Sequence, residues 1–474
     1  MTFASPQYAL LLSVVFWLYW SVRSPRGRLV VLLVASYVFY SAWNPAYVLL
    51  LAGSTLLDYG VGCGLDRTEA PRARRLLLGA SLAGNLGVLG VFKYLGFGVT
   101  QANALLAAAG LPGLLPHLRI LLPVGISFYT FQKLTYTVGV YRRELPATRD
   151  LLQFATFAAF FPQLLAGPIL RAPQFLPQLA APRPFRTEDA LDGVHRILRG
   201  LLKKALFADA LGAALVDPVF GAPARYGGLA IWLATYGYAV QIYSDFSGYS
   251  DIAIGSAKLL GFRVPENFQQ PYLATDLRDF WRRWHISLST WLRDYLYIPL
   301  GGSRRGHLRT QLNLLVTMLL GGLWHGANWT FVVWGAIHGV MLAVNRHLQR
   351  RAERRPGPPR RPLNVWLRRL GTFHLVCLAW VFFRADSVGA AAAFLRAAGR
   401  PSLSLGELGQ DGLWGLLLLG LGLAMHFGHG AWKDSLARRF VGLRVTAQAA
   451  VAVGVICVVA MATQMAKPFI YFQF

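Results

Sequence analysis

Acidic residues are scarce in this chain: 21 Asp and Glu stand against 47 Lys and Arg in 474 residues, and charged residues of all kinds make up only 14%. A soluble protein keeps its core dry behind a surface rich in charge, with about a quarter of its residues ionised. A chain that is 55% hydrophobic is excluded from that class and takes the bilayer as its solvent. Cysteine is scarce too. Cys63, Cys377 and Cys457 are odd in number, far apart and each in an apolar stretch, which excludes a disulfide framework and offers no metal-binding spacing. No G-x-S-x-G elbow and no phosphate-binding loop occurs, so serine-hydrolase and nucleotide-hydrolysing chemistry has no support. The lack of an internal repeat counts against transporters built from repeated halves.

Long apolar runs are what the chain has instead. A span needs roughly 20 mostly apolar residues, and candidates lie near 7–22, 29–42, 46–60, 75–97, 120–141, 151–170, 228–260, 308–325, 329–347, 365–384, 412–431 and 444–466. This predicts an all-α polytopic membrane protein, a single membrane-embedded domain over 1–474. The first run has no basic residue before it and no small-residue cleavage site after it, so it reads as a retained span rather than a removed leader. The net charge of +26 would suggest nucleic acid in a soluble protein. Here the basic residues cluster in short loops, such as Arg72–Arg75 and the Pro-rich 348–363 segment, which reads as topology signal and contact with anionic lipid. Nucleic acid is therefore not an expected partner. The alternation of basic and non-basic loops is self-consistent with both termini outside the cytoplasm. It makes 348–363 a cytoplasmic linker and 467–474, "KPFIYFQF", an extracytoplasmic aromatic tail.

Three stretches do not read as plain spans. Segment 160–179 is apolar but broken by Pro162, Gly167, Pro168, Pro173 and Pro177. Such backbone is tolerated at membrane depth only when buried in protein or lining a cavity; the alternative is a loop skimming the surface. "YAVQIYSDFSGYSDIAIG" (238–255) puts Asp245, Tyr249 and Asp251 in an apolar stretch, and ionisable groups there usually face an interior cavity. Asp209 is either functional or a membrane-edge carboxylate paired with Lys203 or Lys204.

Two further stretches carry chemistry. In "RDFWRRWHISLSTWLRDYLYIPLGG" (278–302), Trp281, Trp284, Leu288, Trp291 and Tyr295 recur at helical spacing, predicting one helix with an aromatic stripe at the membrane interface. His285 borders that stripe; taken alone it reads as structural. In "LLGGLWHGANWTFVVWGAIHGV" (319–340), His325 lies where one apolar run gives way to the next, with glycines close by and His338 further along. Histidine is the side chain most readily poised for proton transfer near neutral pH. A pair of buried histidines could hold a metal, but no third ligand stands at the required spacing, so no metal is expected.

These two stretches resemble the membrane-bound O-acyltransferase family, in the bacterial branch that includes the membrane subunit of alginate O-acetylation. The resemblance extends to "LLPVGISFYTFQKLTY", "FPQLLAGPI", "QIYSDFSGYSDIAIG" and the terminal "FIYFQF", in order along nearly the whole chain. It implies a ring of about 11–12 helices, with re-entrant or interfacial segments, around a funnel that crosses the bilayer. It implies that His325 is the catalytic base, with His285 orienting the acyl group or stabilising the oxyanion. Asp209, Asp245, Tyr249, Asp251, Asn328 and His338 become candidates to line or brace the funnel.

The same resemblance implies transfer of acetyl groups from cytoplasmic acetyl-CoA, a substrate rather than a bound cofactor, to a polysaccharide beyond the inner membrane of a bacterium. A soluble SGNH-type acetyltransferase would complete the transfer. Arg278, Arg282 and Arg283 either bind the CoA phosphates or mark the cytoplasmic interface. Tyr471 is the sole hydroxyl within 467–474. A phenol, with a pKa near 10, can be deprotonated by a nearby base and then leaves readily, so Tyr471 is predicted to carry the acyl group outward. The alternative is an aromatic belt anchoring the last span. An alginate-like exopolysaccharide is the expected acceptor, with peptidoglycan, cellulose and D-alanyl transfer as rivals. Outside the class stand a flippase for a lipid-linked sugar and a catalytically silent scaffold.

Overall fold

Serine and proline open the first two helices. Ser5 and Ser24 accept hydrogen bonds from the amides of Tyr8 (3.3 Å) and Gly27 (3.0 Å). Pro6 and Pro25 occupy the first turn, where a missing N–H costs nothing. A computed structural model of the chain describes residues 1–113, 116, 120–354, 362–428, 430–462 and 470. Among them every regular element is helical. Tyr471, its neighbours Phe469, Phe472 and Phe474, and residues 355–361 of the basic linker lie outside the described residues. Helices occupy all or part of each predicted span. Among the described residues five are long and apolar enough to cross a membrane: Ala46–Arg67, Pro71–Ala108, Leu363–Arg384, Gly406–Phe427 and Val445–Ala462. Others are shorter, such as Pro6–Ser21 with 16 residues, about 24 Å at 1.5 Å per residue.

The contacts group the chain into two compact units, Met1–Ile197 with Tyr249–Pro265, and Leu198–Gly248 with Glu266 onward. In the first unit the Pro-broken segment is not a surface loop. The helix Leu151–Ala159 stops at Phe160, and residues 160–170 run through irregular turns while staying buried. Polar side chains from neighbouring helices reach this segment and its flanks. The amide of Phe161 donates to Ser36 Oγ (3.1 Å) and that of Ala172 to Thr135 Oγ1 (3.1 Å). Gln163 Nε2 donates to Gln132 Oε1 (2.5 Å), and Gln132 donates to the carbonyl of Phe157. Irregular backbone survives away from water only with this kind of cover.

The second unit holds both chemistry-bearing stretches. The predicted single helix over 281–295 is two: Leu277–Arg283 and Ile286–Leu292, followed by a π turn, Arg293–Tyr297. The break falls at Trp284 and His285, where His285 adopts φ 42° and ψ 54°. That left-handed conformation is uncommon for a residue with a Cβ. Helices His307–His325 and Trp329–Arg354 form a hairpin that only glycine allows to close. A Cβ on Gly322 would lie 2.2 Å from the carbonyl oxygen of Phe331, and one on Gly335 would lie 2.4 Å from that of Met318.

Candidate active site

His325 is the last residue of its helix, and its ring is enclosed by aromatics. Trp324, Trp334 and Phe383 each meet it edge-on with centroids 5.1 Å away. The Gly326 that follows has no room for a side chain, since a Cβ would lie 2.2 Å from the Phe331 ring. The glycine therefore admits another part of the protein rather than a ligand.

His285 is fully buried. Its ring meets Phe246 at 4.5 Å and Trp324 at 5.9 Å, so Trp324 touches both histidines. A residue missed by sequence reasoning fixes its orientation. Asn267 Oδ1 accepts from the Ser287 amide (3.1 Å) and hydroxyl (2.9 Å) and lies 3.2 Å from His285 Nδ1. The Ser287 amide can only donate, so the oxygen of Asn267 must face this side. His285 therefore donates from Nδ1, and in its neutral form presents the lone pair of Nε2. The main chain clamps the same corner: the amide of Ile286 donates to the Asn267 carbonyl (3.0 Å), and that of Gln269 to the Arg283 carbonyl (2.9 Å). This clamp is what holds His285 in its strained conformation.

His338 is also fully buried. Its ring packs on Trp334 (4.7 Å) and Trp281 (5.2 Å), so Trp334 joins it to His325. Neither of its ring nitrogens has a hydrogen-bond partner among the described residues. The remaining candidates separate. Asp209 and Asp245 come together on one ammonium: Lys204 Nζ lies 2.8 Å from Asp209 and 2.9 Å from Asp245. Tyr249 and Asp251 belong to the first unit, where Tyr249 packs on Phe3 (5.8 Å) and Asp251 pairs with Arg196 (3.1 Å). Asn328 caps its helix, accepting from the Thr330 amide (3.0 Å) and donating to the Asp386 carbonyl (3.1 Å).

Arg278 and Arg282 line a cavity of about 440 Å³, together with Arg293, Asn345, Arg346 and Gln349. Arg283 is not among the lining residues; it pairs with Asp279 (2.8 Å). Arg346 was legible only as one cation in a basic run. Its role in the cavity wall depends on the hairpin that carries it back toward Arg278.

Aromatic rings thus enclose His325, and Trp324 links it to His285. The chain belongs to the membrane-bound O-acyltransferase family, whose model matches residues 7–383. It is thus an O-acyltransferase, and its apolar helices make it a multi-pass membrane protein. It is 45% identical over 397 residues to a protein of Pseudomonas putida named "Probable alginate O-acetylase AlgI", covering 83% of this chain and 79% of that one. It is 46% identical over 393 residues to the protein of the same name from Pseudomonas aeruginosa, covering 82% and 73%. To a "Peptidoglycan O-acetyltransferase" of Helicobacter pylori it is 35% identical over 407 residues, covering 80% and 75%.

Proposed function

We propose that this enzyme takes acetyl groups from cytoplasmic acetyl-CoA and passes them, through Tyr471, to a soluble extracytoplasmic acetyltransferase that esterifies an alginate-like exopolysaccharide. The names of the relatives at 45–46% identity support acetyl as the acyl group and alginate as the polymer class. The observation that carries the relay is the place of Ile470. It is buried in the same apolar cluster as Trp334 and Phe383, whose rings enclose His325, and Tyr471 is the next residue in the chain.

In this reading the four arginines of the cavity receive the CoA phosphates, for which guanidinium groups are suited by charge and geometry. His325 takes the phenolic proton of Tyr471 as the phenolate oxygen attacks the thioester carbonyl. The tetrahedral intermediate collapses with cleavage of the C–S bond, and His325 returns the proton to the departing thiol. His285 acts from Nε2. To stabilise the oxyanion it must carry a proton on both nitrogens, because Nδ1–H is already committed to Asn267; in its neutral form it can only accept. The phenyl ester then gives its acetyl group to the partner's nucleophile and Tyr471 regains its proton.

The test pairs two variants at matched membrane levels. A positioned base contributes typically 10²–10⁴-fold, so His325→Ala is expected to lose at least about a hundredfold in acetyl transfer while accumulating normally. Tyr471→Phe keeps the ring and removes one oxygen; it is expected to abolish polymer acetylation and the acetyl-tyrosine peptide seen by mass spectrometry. Full polymer acetylation in the Phe variant would refute the relay.

A further inference from the structure

Lys204 and Asp209 lie on the π-helical turn Lys203–Ala210, and Asp245 lies on the helix Gly228–Leu259. All three side chains are buried. One ammonium serves two carboxylates, at 2.8 and 2.9 Å, so the three side chains sum to one negative charge when ionised. Buried charge of that kind is costly unless donors reach it. One donor arrives from far along the chain: the main-chain N–H of Ile470 donates to Asp245 Oδ2 at 2.7 Å, across 225 residues. The distance is that of a short, charge-assisted bond. The Ile470 side chain is itself buried in the apolar cluster, so main chain and side chain are gripped together.

We infer that Lys204, Asp209 and Asp245 form a latch whose Asp245 carboxylate holds the main chain at residue 470, making Asp245 a positioning residue for acyl transfer to Tyr471. The inference rests on the relay reading for its purpose, but not for its existence. Asp245 binds a peptide N–H, which any residue but proline supplies, so the bond itself is independent of sequence, and the buried Ile470 side chain decides which residue meets it. Lys204 holds the carboxylate in place, and Asp209 shares the ammonium, leaving negative charge on Asp245 for the amide.

Two substitutions at one position isolate the bond. Ile470→Ala trims the side chain and keeps the N–H; Ile470→Pro removes the N–H and leaves the buried ion cluster whole. The readouts, on full-length protein in detergent, are hydrogen–deuterium exchange of the 471–474 amides and acetyl transfer from acetyl-CoA to the polymer system. A hydrogen bond to a charged group is worth enough for about a tenfold change or more. Ile470→Pro is therefore expected to exchange at least about tenfold faster than Ile470→Ala and to lose acetyl transfer to a similar degree. Asp245→Asn, which keeps an acceptor without the charge, should fall between wild type and Ile470→Pro. Equal exchange in the Pro and Ala variants overturns the latch whatever the activity. Faster exchange in the Pro variant with full polymer acetylation keeps the bond but overturns Asp245 as a positioning residue, while the relay itself stands or falls on Tyr471→Phe.

Discussion

Two buried ion clusters among the described residues are of similar make-up and opposite design. In the first unit Asp58 and Lys133 are both fully buried and 3.5 Å apart. Neutral donors complete the carboxylate: Ser81 Oγ at 2.5 Å, Asn85 Nδ2 at 2.9 Å and Thr137 Oγ1 at 3.3 Å. One acid meets one base, and all the partners come from three helices, Ala46–Arg67, Pro71–Leu89 and Ile126–Tyr141. In the second unit Asp209 and Asp245 both meet Lys204, and the amide of residue 470 donates to Asp245. A balanced cluster pins helices that are already neighbours. An unbalanced one draws in a segment from elsewhere in the chain. The pattern assigns stability to the first and positioning to the second.

The largest effect that would break this contrast belongs to the balanced cluster. Lys133→Met leaves Asp58 buried without its cation, and breaking a buried pair in this way costs about 3–5 kcal/mol. We expect a marked fall in membrane level and in the thermal midpoint in detergent, with acetyl transfer per folded molecule unchanged. Lys133→Met combined with Asp58→Leu should recover most of the loss, since an apolar pair needs no compensation. Lost turnover in folded Lys133→Met protein would move this cluster from scaffold to mechanism.

A smaller effect sharpens the contrast from the other side. Asp209→Asn turns the second cluster into a one-to-one pair like the first. Lys204 then gives its charge to Asp245 alone, and the carboxylate pulls less on the Ile470 amide. The cost should be near 1 kcal/mol in stability, the scale of one hydrogen bond. Exchange of the 471–474 amides should rise by about threefold, less than in Ile470→Pro. No change in exchange would show that the surplus charge is immaterial to holding the segment.

What the sequence made legible followed the range of the interactions. The apolar stretches appear as helices because period and length are local properties, and His285 and His325 were picked out by their motifs. The helix break at Trp284 and His285 was not legible. The aromatic spacing continues through it, and the cause is Asn267, 18 residues away, clamping Ser287 and Ile286. The pairing of Asp209 was open between Lys203 and Lys204; the fold brings Lys204 within 2.8 Å of it, and Lys203 donates to Ser247 at 3.2 Å. Likewise, prolines in 160–179 announced irregular backbone but not its burial, which depends on Ser36, Gln132 and Thr135 on other helices. Asp245 stood out as a carboxylate in an apolar stretch, yet no pattern in the sequence ties position 245 to position 470.

The smallest effect concerns an ion pair in water. Arg143 and Glu69 form a direct contact with side chains 63% and 82% exposed, joining the ends of the same helices that the Asp58–Lys133 cluster pins at depth. Glu69→Ala removes a charge partner just as Lys133→Met does, but solvent takes over the role of the lost carboxylate, and screening leaves such pairs worth less than about 1 kcal/mol. The thermal midpoint in detergent should barely move and should be insensitive to added salt in the variant, while wild type loses its slight advantage as salt rises. If Glu69→Ala destabilised the protein as much as Lys133→Met, charge pairing between these helices rather than burial would set the scale, and the distinction between a closed buried cluster and an open one would lose its physical basis.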